Sequence, residues 1–126
     1  VIVNAADEGR AIYGLDKATG KVVWKAPANR LELTYGTPLL PAIEGDKQEL
    51  LIAVPGEVWG LNPDTGKLVW YAQSPLDGNI APSVVADADN VYAFGGFPRT
   101  GSVGMKRKGQ TCSGRVVRGR MCPHRC

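Results

Sequence analysis

Short apolar runs alternate with polar, glycine-bearing turns along the chain, and no window shows the spacing of an amphipathic helix. Residues 11–15 and 21–24 are rich in β-branched and aromatic side chains and flank Asp16-Lys17-Ala18-Thr19-Gly20. This pattern predicts a hairpin, in which Asp16 bonds the backbone two residues on and Gly20 takes the positive φ that closes the loop. Residues 57–61 and 67–70 predict a second hairpin around Asn62-Pro63-Asp64-Thr65-Gly66, with Pro63 presetting φ at the first corner. Further strands are predicted over residues 37–44 and 49–54, joined by a turn at 45–48. Another pair covers 81–86 and 91–94 around Asp87-Ala88-Asp89-Asn90, and residues 1–5 fit a second strand whose opening partner is missing.

The two hairpins are copies of one another. Residues 11–24 and 57–70 align without a gap at an offset of 46, and 7 of the 14 positions are identical, among them Thr19/Thr65, Gly20/Gly66 and Trp24/Trp70. Four antiparallel strands in about 46 residues describe a propeller blade. The fold class is therefore all-β: a partial β-propeller of two to three four-stranded antiparallel blades, with an irregular basic C-terminal tail. One blade is partial, one is complete near residues 37–73, and a third begins after it.

The runs from Leu15 to Trp24 and from Leu61 to Trp70 resemble the pyrroloquinoline-quinone-like (PQQ-like) β-propeller repeat, whose motif reads Ala-x-Asp-x-x-Thr-Gly-x-x-x-Trp. Thr-Gly and Trp match in both copies and Asp16 matches in the first. Gly14 and Gly60 stand in place of Ala, and Asn62 in place of the second Asp. The resemblance covers residues 1–102. It implies that the Trp of each blade docks on the Thr-Gly turn of the next, so that Thr19, Gly20, Trp24, Thr65, Gly66 and Trp70 are structural. Two kinds of relative then compete. The resemblance favours a non-catalytic scaffold for protein–protein interaction, like the lipoprotein of the outer-membrane β-barrel assembly machinery. The alternative is a piece of a quinone-dependent alcohol or sugar dehydrogenase, with PQQ and calcium at the ring centre and catalytic residues outside this chain.

Residues 1–102 hold no Cys, so neither the adjacent Cys pair nor the haem-binding Cys motif of those dehydrogenases lies there. They hold no His either, which removes Ser-His-Asp and His–metal chemistry from the body. No catalytic residue and no cofactor is expected in this stretch. The sequence from Gly60 to Lys67 has five residues between its glycines and Leu68 after its Lys, so it departs from a phosphate-binding loop. Asp87-x-Asp89-Asn90 reads as a polar turn, because no Gly or bidentate Glu follows at calcium-loop spacing. Arg30, Glu32 and Tyr35 fall in the linker between blades, where a propeller carries functional loops.

Charge divides the chain near Ser102. Residues 1–102 carry a net −4 and all nine aromatic residues, while 103–126 carry +7, no acidic residue and all three Cys. Cys112, Cys122, His124 and Cys126 form a zinc-type ligand set, but three of them crowd into five residues around a Pro. The basic charge would suit nucleic acid, yet the tail has no aromatic side chain to stack on bases. The reading preferred for residues 103–126 is an unfolded or out-of-frame end. No apolar run approaches the roughly 18–20 residues of a membrane-spanning helix. The partners expected are a protein or the remaining blades of the same propeller. By resemblance, the setting is periplasmic, outer-membrane-associated or secreted, with this chain a piece of a longer protein.

Overall fold

The computed structural model describes residues 1–41, 48–98 and 100–106. The candidate zinc residues Cys112, Cys122, His124 and Cys126 lie outside the described residues. Among the described residues nine strands form three antiparallel sheets in chain order. The first contains β1 (Ile2–Ala5), β2 (Ala11–Leu15) and β3 (Val22–Pro27). The second contains β4 (Leu50–Val54), β5 (Glu57–Leu61) and β6 (Leu68–Gln73). The third contains β7 (Val85–Ala86), β8 (Asn90–Gly95) and β9 (Gly101–Lys106). A one-turn helix (Ala6–Gly9) follows β1, and Arg10 closes it at φ 43° by donating its N–H to the Ala6 carbonyl.

Register shows which strands correspond. Gly14 of β2 faces Ile2 and Trp24, and Gly60 of β5 faces Leu51 and Trp70. Gly104 of β9 faces Tyr92 in the same way, so β9 occupies the place of β2 and β5. Val85 then bridges Tyr92 as Leu39 bridges Leu51. The first sheet thus contains the second, third and fourth strands of a blade, and the third sheet contains the first, second and third.

The blade predicted to be complete, with four strands near residues 37–73, has three strands in its sheet. The opening strand predicted over 37–44 is, among the described residues, a single Leu39–Leu51 bridge with backbone bonds of 2.8 Å in both directions. Pro38 and Pro41 flank that bridge and have no N–H to extend a ladder. Pro82 stands in the predicted strand 81–86, of which only Val85–Ala86 pairs. The boundary at Ser102 is also displaced. β9 runs to Lys106, and Val103 and Met105 are buried in the core.

Packing follows strand alternation. All five residues of β4 are buried. Leu50, Ile52 and Val54 join Ile12, Leu31, Trp59 and Leu61 between the first and second sheets. Leu51 and Ala53 join Val58, Ile80, Val91 and Met105 between the second and third. A continuous apolar run is what a strand covered on both faces requires.

The turns are held by side-chain acceptors. Asp16 Oδ1 accepts from Ala18 N, Thr19 N and Thr19 Oγ1 at 2.8–3.0 Å, and Asn62 Oδ1 accepts from Asp64 N and Thr65 N. Asp87 accepts more bonds: from Asp89 N at 2.9 Å, Asn90 N at 2.7 Å, Asn90 Nδ2 and the Tyr92 hydroxyl at 2.9 Å. These donors favour the charged form, the Asp89 amide most and the Asn90 side chain next, and hold its carboxyl at about 2 against an ordinary 3.8. A depressed carboxyl stabilises the fold above its unfolded pKa, and the contribution disappears as pH falls through the folded value. An NMR titration is expected to find the Asp87 carboxyl half-protonated near pH 2, with the Tyr92→Phe substitution moving that midpoint upward. A midpoint near 4 in the unsubstituted chain would contradict the turn geometry.

Candidate functional site at the sheet junction

Trp24 sits opposite Gly14 on its own hairpin, where a β-carbon on Gly14 would lie 2.3 Å from the indole. The indole crosses from the first sheet to the second. Its Nε1 donates to the Pro63 carbonyl at 3.0 Å, and a β-carbon on Gly66 would lie 2.4 Å from Cε3. Gly66 has φ +70° and its N–H donates to the Asn62 carbonyl at 2.8 Å, which closes the turn beneath the ring. Thr65 is exposed, and its Oγ1 accepts the Lys67 N–H at 3.4 Å.

The other residues expected to dock have different neighbours. Gly20 has the same φ of +70°, but no atom stands within 4 Å of its β-carbon position. Thr19 bonds within its own turn. Trp70 lies over Gly60 as Trp24 lies over Gly14, and its Nε1 donates to Glu49 Oε2 at 3.2 Å. The residues after β9, where by correspondence the Trp70 docking partner would fall, lie outside the described residues.

The linkers join the sheets through backbone. Residues 33–36 run parallel to residues 78–80: Ile80 N–H donates to Leu33 O at 2.9 Å, and Tyr35 N–H and Gly36 N–H donate to Ile80 O. The next linker continues the pattern, with Gly96 N–H donating to Asn79 O at 3.0 Å and Gly78 bridging Phe97. Asn4 Nδ2 ties the first sheet to the same ladder through Thr34 O and Gly36 O.

Of the linker residues singled out in the sequence, Arg30 Nε lies 3.5 Å from Glu57 Oε1, Glu32 lies 3.6 Å from Arg10, and Tyr35 is exposed. Leu33 was not among them. It has φ +65°, a conformation that Gly78 adopts in the next linker at +70°, and each stands two residues after a buried leucine, Leu31 or Leu76. Its side chain is nonetheless 37% exposed, and Tyr35 beside it is 48% exposed. Aligning the two linkers on Leu31 and Leu76 would have shown a leucine where its sister has glycine.

A protein-family model described as outer membrane protein assembly factor BamB matches residues 1–123. The chain belongs to that family. The match runs past the compositional break at Ser102. Among solved structures, the crystal structure of BamB from Moraxella catarrhalis is similar at 24% identity and a TM-score of 0.53. That similarity covers 74% of this chain and 30% of the other, so the chain spans less than a third of that structure's length. It establishes the shared β-propeller fold. No curated protein matches.

Gly66 and Gly20 share a backbone conformation and differ in whether an indole covers them, so alanine at each separates the two effects. Gly20→Ala is expected to cost about 1–2 kcal/mol for a left-handed non-glycine residue. Gly66→Ala should add roughly 1–3 kcal/mol for displacing Trp24, and should shift that tryptophan's fluorescence. Equal losses on denaturant unfolding would mean that the indole does not depend on the bare glycine.

Proposed function

We propose that this chain is part of a non-catalytic propeller scaffold that binds protein partners through the ledge formed by its inter-sheet linkers. The observation that carries this reading is Leu33. A left-handed leucine costs about 1–2 kcal/mol relative to glycine, and burial would normally compensate an apolar side chain held this way. Here the side chain stays exposed beside Tyr35, while the carbonyl of Leu33 and the N–H of Tyr35 are both committed to the ladder. Strain that persists on a surface supports a role for that surface, and an exposed apolar pair on rigid backbone suits a protein contact. The family's description as an outer membrane assembly factor supports partners in that process and a periplasmic, outer-membrane-associated setting.

Quinone chemistry is not part of this reading. Among the described residues no three His, Cys, Asp or Glu side chains converge to hold a metal ion. Adding PQQ with Ca²⁺ is accordingly expected to leave tryptophan fluorescence unchanged, and a saturable change would favour the dehydrogenase alternative.

The ledge is tested by placing a photocrosslinking residue at position 33 or 35 of the protein expressed in its cell, with exposed positions 23 and 69 as controls. Discrete crosslinked partners are expected only from the linker. Leu33→Gly should leave stability within about 1 kcal/mol, because relief of strain offsets glycine's entropy. The same substitution should cut crosslinking from position 35 about tenfold, as loss of an interface anchor does. Undiminished crosslinking in that variant would overturn the assignment.

A further inference from the structure

Asn4 lies on β1, and its side chain reaches the linker that carries Leu33 and Tyr35. Its Nδ2 donates to Thr34 O at 2.9 Å and to Gly36 O at 3.0 Å, the carbonyls on either side of Tyr35. Two acceptors around one nitrogen fix the orientation of the carboxamide, because the opposite orientation would set its oxygen against both carbonyls. That orientation has a cost. Asn4 Oδ1 is buried without a hydrogen-bond partner among the described residues, and so is the Thr34 hydroxyl. A buried polar atom left unpaired is unfavourable, so its retention calls for a physical reason.

The sheet itself does not require this amide. Asn4 pairs with Ile12, and the same register position holds Ala53, opposite Val58, in the second sheet and Phe94, opposite Ser102, in the third. Neither of those side chains has a hydrogen-bond donor. The next linker also manages without one. Asn79 stands three residues after Leu76 as Thr34 stands three after Leu31, and its carbonyl accepts a backbone N–H from Gly96 at 3.0 Å. Only in the first linker, among the described residues, does a strand side chain hold the carbonyls both before and after an exposed aromatic residue.

We propose that Asn4 is a positioning residue for the partner-binding ledge. By holding Thr34 O and Gly36 O from β1, it fixes the backbone of Tyr35 and the direction in which Leu33 and Tyr35 meet a partner protein. The geometry stands by itself, and its consequence for binding rests on the scaffold reading.

The test compares Asn4→Ala with Gly20→Ala, a turn substitution at a position where no atom stands within 4 Å of the β-carbon. Hydrogen exchange is measured on the full chain, with the Tyr35 and Gly36 amides read against those of Leu51 and Val58 in the same sample. In Asn4→Ala the linker amides are expected to exchange about tenfold faster relative to that reference, and in Gly20→Ala the ratio should stay within about twofold. Crosslinking from position 35 in the cell should fall about tenfold in Asn4→Ala and persist in Gly20→Ala, which a general loss of stability would not produce. An unchanged exchange ratio overturns the proposal, as does faster exchange with undiminished crosslinking. Absence of crosslinking from position 35 in the unsubstituted chain overturns the ledge reading and this role with it, so the two failures are told apart by the unsubstituted chain.

Discussion

The indole of Trp24 is held between two glycines, and much of the architecture follows from that slot. Gly14 supplies one wall from the same hairpin, and Gly66 supplies the other from the turn of the next sheet. A β-carbon on either would overlap the ring, and the single indole N–H is taken up by Pro63. This explains why glycine replaces the alanine of the repeat motif at positions 14 and 60: the ring lies flat on the strand that faces it. The strand that carries Trp24, β3, has an irregularity that re-aims it. Leu15 pairs with Val22 and Gly14 with Trp24, which leaves Val23 as an extra residue, and Val69 is its counterpart before Trp70. A bulge bends the strand and increases its twist, and it accounts for two valines that are apolar yet more than half exposed.

A sheet of three strands has two faces, and stacking determines which of them can be apolar. Only the middle sheet has a described neighbour on both sides, and among the described strands only β4 is buried along its whole length. β2 and β8 instead mix buried positions with partly or fully exposed ones, such as Tyr13, Tyr92 and Phe94. Each added sheet therefore stabilises the one before it, which is how repeat architectures gain stability from neighbours rather than from any unit alone.

The parts legible from the sequence were those fixed by local chemistry. The Asx acceptors at 16 and 62, the turn glycines at 20 and 66, and the strands running into and out of them all lie within a few residues of one another, and the 46-residue offset displayed them twice. The contact between Trp24 and residues 63–66 spans about forty positions and was readable only through the family resemblance. Leu31, Ile80 and Thr34 were not readable as core, because linker burial depends on how successive blades stack. Composition misled at Ser102. The change in charge there is real, but Val103 and Met105 still alternate inward with the spacing of a strand, and that apolar pattern determines pairing with β8.

Leu33 illustrates why the linker required the structure. Its left-handed backbone is imposed from outside the residue: Ile80 N–H takes its carbonyl, and Tyr35 N–H returns to Ile80. Gly78 adopts the same conformation at little steric cost, with its β-carbon position only 2.1 Å from the Phe97 carbonyl oxygen, so glycine is required there for space as well as for φ. At Leu33 the space beside the backbone is open, so a side chain can stand there, and the ladder holds it in place. One linker thus uses its special conformation to bring two segments of the backbone close together, and the other uses it to present a hydrophobic side chain to solvent.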